Sequence, residues 1–192
     1  MGTEIDEVVK FIFELGHLKN IKHEGWRCLN ISNPSSVAAH SCRAAQIAFV
    51  LARMEGYPDP YEACAKTVFH DMAETRVGDL HKLAARYAVA DEHRSARDST
   101  NPLGELGKEL YKAWEDVEEQ NTTAGLIGKD ADVLEVCFQA KTYVDLGVKD
   151  AYDWIKNSRP RLKTKSAKAI CEALLTADSN EWWKGWKKIP KD

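Results

Sequence analysis

Apolar residues recur at intervals of three and four along most of this chain, whereas no segment shows sustained strict alternation of apolar and polar residues. The first spacing places apolar side chains on one face of a helix, and the second is typical of a half-buried strand. Clusters of valine, isoleucine and threonine, which favour sheets, are also missing. The sequence therefore predicts an all-α protein.

Residues that cap or break helices divide the chain into predicted segments. Gly16 ends a first helix, and residues 20–35 are predicted to form a loop. A second helix begins after Ser35 or Ser36, either of them a good N-cap, and runs to Gly56. The other predicted helices are one from Asp59-Pro60 to Val77-Gly78, one within 103–120, a long one over 122–146, and shorter ones near 149–157, 164–177 and 179–188.

The size and charge of the chain limit its class. A length of 192 residues, 44% of them hydrophobic, allows one substantial core, so we expect a single domain over residues 1–192, a helical bundle. The net charge of -3 comes from basic and acidic residues spread along the whole length, which argues against a protein dedicated to binding nucleic acid polymers.

The cysteines and the apolar runs indicate a cellular location. Five widely spaced cysteines without a C-x-x-C pair are typical of buried thiols in a reducing compartment. The N-terminal segment lacks the features of a signal peptide, and no apolar run approaches the roughly 20 residues that span a bilayer. We therefore expect a cytoplasmic protein that has no membrane partner.

Four side chains that can bind a metal fall within the predicted helices: His40, the adjacent pair His70-Asp71, and Asp132. Imidazole nitrogens and carboxylate oxygens together suit a borderline divalent metal, and four protein ligands leave octahedral positions open for water and substrate. A buried His-Asp pair is costly unless it is paired or bound to a metal. The alternative is a core histidine bonded to a carbonyl, together with a simple His-Asp hydrogen bond.

Three segments that contain these residues resemble the 5'-deoxynucleotidase branch of the HD-domain metal-dependent phosphohydrolases. In chain order they are GWRCLNISNPSSVAAH, FHDMAETRVGDL and KDADVLE. The resemblance covers about residues 15–145, and the C-terminal helices over 149–188 are expected to pack on this core. It implies an all-α enzyme that removes the 5'-phosphate from (deoxy)ribonucleoside monophosphates by attack of metal-activated water.

The resemblance also implies roles for individual residues in the reaction. One divalent transition metal (Mn, Co, Fe, Ni or Zn) would be held by His40, His70, Asp71 and Asp132, and Asp71 is also counted as catalytic. Glu74 lies one turn beyond His70 and would accept or donate a proton; its alternative is a surface ion pair with Arg76 or a neighbouring lysine.

Substrate contacts are implied for a second group of residues. Asp79 would contact the sugar or cap the segment that starts at Leu80, and Trp26 would line the nucleotide pocket or belong to the core. Related enzymes carry a phosphate-binding arginine just before this tryptophan. That arginine is absent here, where Gly25 precedes Trp26. Phosphate binding would then fall to one of three nearby residues: Lys22, His23 or Arg27.

Other interpretations stay open at this point. The substrate of the same site could be a deoxynucleoside triphosphate, a cyclic nucleotide or an alarmone, and the scaffold could instead be a non-catalytic nucleotide-binding regulator. His81 and His93 are candidates for a second metal. Similar proteins lead us to expect a homodimer or higher homo-oligomer. The tryptophans in 179–188 are expected to dock on the core or on a second subunit.

Overall fold

Helices form all of the regular secondary structure in residues 2–185, which are the residues that the computed structural model describes, with side chains from residue 4 onward. Within this range there is no strand, and extended pairing is limited to one isolated antiparallel bridge between Lys22 and Ser36. The predicted all-α fold is confirmed. The α-helices are α1 (Gly2–Gly16), α2 (Val37–Met54), α3 (Pro60–Val68), α4 (Glu74–Val77), α5 (Glu92–Thr100), α6 (Glu105–Glu119), α7 (Thr123–Asp145), α8 (Tyr152–Ser158) and α9 (Lys165–Thr176).

Side-chain caps fix where the principal helices begin. Ser36 Oγ accepts a hydrogen bond from the backbone N–H of Ala39, at 3.2 Å, at the start of α2. Asp59 caps α3 in the same way, and the Thr122 hydroxyl caps α7. Each cap satisfies backbone N–H groups that have no partner within the helix. The predicted starts of α2 and α3 are therefore confirmed.

The long helix α7 lies at the centre of the fold. It packs against α2, α3, α6, α8 and α9, so residues on nearly every side of it are buried. The α2 face that meets it contains Ala44, Ala48 and Leu51, none of which is exposed. Small alanine side chains let two helices approach closely, which brings the polar side chains of α2 and α7 within reach of one another.

The predicted third helix is wrong over residues 69–73, where the chain leaves α3 and makes tight turns before α4 begins. The backbone N–H groups of His70, Met72 and Glu74 each bond to the carbonyl three residues earlier. In addition, the His70 ring donates to the Thr67 carbonyl at 2.6 Å, so this carbonyl is not available to continue the helix. His70 and Asp71 thus lie in a turn and not on a continuous helix.

Three smaller differences from the predicted segments are also found. Residues 92–100, for which the sequence predicts no helix, form α5 with Asp91 as its N-cap. The predicted loop over 20–35 contains a 3-10 helix, Glu24–Leu29. In place of a helix over 179–188, residues up to 185 form only a 3-10 turn, Glu181–Trp183, in which Trp182 is 73% exposed. Trp186 and the rest of that predicted helix lie outside the described residues.

Close contact between α6 and α7 depends on the glycine at the start of α7. A Cβ built on Gly125 would overlap the backbone carbonyl of Asp116, whereas one built on Gly16 would meet no atom within 4 Å. We expect Gly125→Ala to lower the free energy of unfolding by about 3 kcal/mol, because backbone atoms cannot rotate away as a side chain can. Chemical denaturation would measure this.

Gly16→Ala is the matched control, because Gly16 has ordinary helical backbone angles and open space around it. We expect this variant to change the free energy of unfolding by less than about 1 kcal/mol. Equal stability of the two variants would contradict the close α6–α7 contact.

Candidate metal centre and active-site cleft

Four side chains from α2, the 69–73 turn and α7 meet at one point. The Nε2 atoms of His40 and His70 are 3.2 Å apart. Asp132 Oδ1 lies 3.3 Å and 3.8 Å from these two nitrogens, and Asp71 Oδ2 lies 3.5 Å and 3.2 Å from them. Donor atoms around an octahedral metal with bonds of about 2.1 Å lie about 3 Å apart. The four residues named from the sequence are therefore spaced to hold one metal ion.

The second ring nitrogen of each histidine is already engaged on the side away from this point. His40 Nδ1 lies 2.5 Å from a Glu135 carboxylate oxygen, and His70 Nδ1 lies 2.6 Å from the Thr67 carbonyl oxygen. Because both partners accept hydrogen bonds, Nδ1 donates in each ring and Nε2 is the atom presented to the centre. Metal-binding histidines are usually fixed in this way.

Glu135, which the sequence analysis did not name, is the buried carboxylate behind His40. Arg43 holds its other oxygen at 2.9 Å and 2.5 Å. Burial alone would raise the pKa of Glu135, but the hydrogen bond from His40 and the charge of Arg43 outweigh burial and lower it. The missed signal was its spacing, since Glu135 follows Asp132 by three residues and shares that face of α7.

The carboxylates around the centre carry negative charge that a bound cation would compensate. Burial tends to lower the pKa of His40 and His70, yet the surrounding carboxylates raise both in the metal-free protein. A divalent metal would take the place of these protons, so its binding is expected to release them. Asp71 and Asp132 keep 17% and 18% of their side-chain surface exposed, which leaves one side of the centre open.

Glu74 stands next to this centre at the start of α4. Its Oε2 atom is buried and has no hydrogen-bond partner, and Arg76 pairs with Glu14 at 2.7 Å and not with Glu74. The surface ion pair considered as an alternative is therefore not formed. Burial, followed by the charges of Asp71 and Asp79, raises the pKa of Glu74 to about 10 in the metal-free protein. A neutral acid thus lies beside the metal-binding side chains.

The open side of the centre faces a cleft of about 660 Å³. His23, Trp26, Glu74 and Asp79 line it together with the four metal-binding candidates. Lys22 and Arg27 are not among the lining residues. The guanidinium of Arg27 instead pairs with Glu24 at 2.6 Å, outside the cleft.

The residues expected to touch substrate occupy different depths of the cleft wall. The His23 ring packs on His40 with centroids 4.3 Å apart, and burial lowers its pKa. Trp26 is only 1% exposed and stacks on Trp154, so most of its surface belongs to the core. Asp79 does not cap the segment at Leu80; it accepts the backbone N–H of Glu24 at 2.7 Å and so joins the two loops that form the wall.

The two histidines considered for a second metal are not brought together. His93 contacts Tyr111 and Glu119 of α6, each at 3.2 Å, and does not line the cleft. His81 lines the cleft, but its Nδ1 accepts the backbone N–H of Ala84. Among the described residues, the groups that could hold a metal contain neither of them.

Comparison with known proteins gives a consistent result. The model of the HD-domain family matches residues 15–174, which extends beyond the motifs to include α8 and most of α9. A curated relative, 5'-deoxynucleotidase HDDC2 of Danio rerio, is 32% identical over 148 residues, or 74% of this chain and 72% of that protein.

Solved structures also match over nearly the full length. The crystal structure titled genomics APC5600 has a TM-score of 0.76 at 34% identity and covers 93% of this chain and 99% of its own. A protein from Magnetospirillum magnetotacticum MS-1, described as a predicted metal-dependent phosphohydrolase, has a TM-score of 0.72 and covers 90% and 94%. At 20% identity, this second match supports the fold alone.

The hydrogen bond between Glu135 and His40 yields a prediction about metal affinity. In Glu135→Gln the ring of His40 loses its charged acceptor, and we expect affinity for Mn²⁺ or Co²⁺ to fall roughly 10- to 100-fold. Competition with a metal-binding dye would measure it. Asp116→Asn, which removes another buried carboxylate that does not line the cleft, is the control and should leave the affinity unchanged. Equal metal affinity of Glu135→Gln and the wild type would contradict this role.

The neutral state of Glu74 yields a prediction about stability and pH. Its pKa is about 10 in the folded metal-free protein and close to 4.5 when unfolded, so its stabilising effect is complete below pH 4.5 and is lost as the pH rises towards 10. Glutamine cannot ionise, so Glu74→Gln does not lose stability in this way. Without metal, the melting temperature of Glu74→Gln minus that of the wild type should therefore increase between pH 5 and pH 9. For the control Glu109→Gln, the difference in melting temperature from the wild type should be the same at every pH in this range. A pH-independent difference for Glu74→Gln would refute the raised pKa of Glu74.

Proposed function

This chain belongs to the HD-domain family and is a metal-dependent nucleotide phosphohydrolase, and from that premise we propose that it removes the 5'-phosphate from (deoxy)ribonucleoside monophosphates. The proposal rests chiefly on the convergence of four nitrogen and oxygen donors beside an unpaired buried acid in one cleft. The curated relative named above is itself called a 5'-deoxynucleotidase. Activity on ribonucleotides is part of the proposal.

We propose that His40, His70, Asp71 and Asp132 hold a single divalent transition metal, one of Mn, Co, Fe, Ni and Zn. When bound, such a metal polarises a phosphoryl oxygen and lowers the pKa of a coordinated water. The mixed donor set and the spacing of about 3 Å support this assignment. The partly exposed carboxylates of Asp71 and Asp132 leave access from the cleft.

Glu74 is the proposed proton-transfer residue. Hydrolysis transfers a water oxygen to phosphorus, breaks the bond between phosphorus and the 5'-oxygen, and requires a proton to reach the departing oxygen. The positive charge of a bound metal would favour the ionised form of Glu74, whose unpaired oxygen lies in the same cleft. The carboxylate can then accept a proton from the water and give it to the leaving group. The absence of an ion pair between Glu74 and Arg76 supports this role; Arg76 pairs with Glu14 instead.

The proposed nucleoside contacts are Asp79 and Trp26, with His23 nearest to the metal centre. Asp79 has one oxygen bonded to the backbone of Glu24, and its other oxygen remains available for a sugar hydroxyl. Trp26 and its stacked neighbour Trp154 give the cleft an aromatic wall. Of the three residues considered for phosphate binding, only His23 lines the cleft.

The remaining expectations about the protein stay proposals. The packing of α8 and α9 on α7 supports a single domain over the whole chain. Five free cysteines fit a cytoplasmic location. None of the helices in the described residues has the length and apolar character needed to span a membrane. Ile5, Ile12 and Phe13 on α1 are more than half exposed, which supports a homodimer or higher homo-oligomer.

A paired comparison of variants tests the proposed reaction. We expect inorganic phosphate to be released from dAMP or dTMP with Mn²⁺ or Co²⁺ and not after chelation. Asp71→Asn should lose both metal affinity and turnover, whereas Glu74→Gln should keep the metal and lose turnover by roughly 10²-fold or more. Phosphate release and dye competition measure the two properties separately.

Several outcomes would contradict the proposal. Activity that survives chelation would exclude metal-dependent hydrolysis. A fully active Asp71→Asn would exclude the proposed ligand set. If other nucleotides release pyrophosphate or triphosphate and monophosphates release no phosphate, the proposed metal site would stand and the proposed substrate would be wrong. Protection of the protein by dAMP against thermal unfolding without any turnover would indicate a regulator.

A further inference from the structure

Three permanent cations line the cleft, and one of them is already neutralised. Lys129 Nζ lies 2.9 Å from Glu118 and 3.4 Å from Asp132, so its charge balances those carboxylates. Lys82 and Arg161 also line the cleft, and among residues 4–185 neither forms an ion pair. Two lining cations are thus left without a carboxylate partner.

These two cations reach the same cleft from distant parts of the chain. Lys82 follows the Gly78–Leu80 turn, and Arg161 ends the 3-10 turn after α8. Burial and then the charge of Arg161 lower the pKa of Lys82, so the two side chains repel each other in the absence of an anion. An anion between them would turn this repulsion into attraction.

Lys82 lines the same cleft as the four metal-binding candidates, and the charge of Asp132 acts on it. A phosphoryl group at the metal centre would therefore share the cleft with the Lys82 side chain. Arg161 adds a planar fork of N–H donors, which suits two phosphate oxygens at once. The basic residues near Trp26 are less suited to binding a phosphate in the cleft, because Lys22 and Arg27 do not line it.

We propose that Lys82 and Arg161 form the phosphate-binding pair of this cleft and hold the 5'-phosphate of a mononucleotide against the metal centre. The inference rests on the proposed function and adds the residues that position its substrate. The two unpaired cations, with one positive charge each, match the two negative charges of one phosphate monoester dianion. They leave no further lining cation for a second and a third phosphate, so the pair also favours monophosphates over triphosphates.

Binding of a substrate analogue that cannot be hydrolysed tests the pair. The probe is the dAMP analogue in which a methylene group replaces the bridging 5'-oxygen, titrated by calorimetry into the metal-loaded protein. We expect Lys82→Met and Arg161→Met each to weaken its binding about tenfold, because each removes a charged hydrogen bond. Binding of deoxyadenosine, which has no phosphate, should not change, and Lys82→Arg should largely restore binding of the analogue.

Matched controls remove the same charge from the same two segments. Arg86 lies in the loop of Lys82, and Lys156 lies on α8; both are exposed, without an ion pair among the described residues, and outside the cleft lining. Arg86→Met and Lys156→Met should therefore bind the analogue as the wild type does. Equal weakening in the controls, equal weakening for deoxyadenosine, wild-type affinity in both test variants, or no binding of the analogue by the wild type would overturn the pair.

Kinetics with dAMP separate this inference from the proposed reaction. The two variants should raise KM about tenfold with a smaller change in kcat. Turnover by the wild type with an unchanged KM in both variants would overturn the pair and leave the reaction standing. Conversely, a wild-type protein that binds the analogue through Lys82 and Arg161 but releases no phosphate from dAMP would overturn the reaction alone.

Discussion

The hydrogen bond between His40 and Glu135 is the interaction on which the site depends. It joins α2 to α7 in the interior, where an unpaired carboxylate or imidazole would be costly. The alanine-rich face of α2 allows the close approach that this bond needs, and Arg43 completes the charge balance of the carboxylate. Because the Glu135 bond fixes the ring, His40 Nε2 is directed towards Asp132, and the metal-binding geometry follows from helix packing.

The break between α3 and α4, at residues 69–73, is the second feature on which the site depends. In a continuous helix, His70 and Asp71 would project about 100° apart. Tight turns instead place both donor atoms 3.2 Å apart, and they begin α4 with Glu74 beside the centre. The local loss of helical hydrogen bonds is offset by the bond from the His70 ring to the Thr67 carbonyl. Backbone irregularity and function therefore coincide at this point.

The sequence predicts those parts of the molecule that local pattern determines. Caps and apolar periodicity located α2 and α7, and the His-Asp motif named the four donors, because these signals lie within short segments. The break after α3 was not predicted, because the apolar pattern continues through residues 69–73, whereas the bonds of the His70 ring to Thr67 and of Ser95 to the Ala73 carbonyl appear only in the folded structure. Glu135, Lys82 and Arg161 were missed because their roles depend on which segments meet in three dimensions.

The C-terminal part of the chain changes how the cleft should be understood. The motifs end near residue 145, yet Trp154 and Arg161 line the same cleft as the metal-binding residues. Since α8 packs on α7, which carries Asp132, the aromatic wall and a basic side chain are held in a fixed relation to the centre. The metal-binding end of the cleft is therefore built by α2, the 69–73 turn and α7, while Trp154 and Arg161 bring a segment that carries no motif into the wall of the same cleft. Substitutions in that segment therefore change the lining of the cleft while the four metal-binding side chains, which lie on other segments, stay the same.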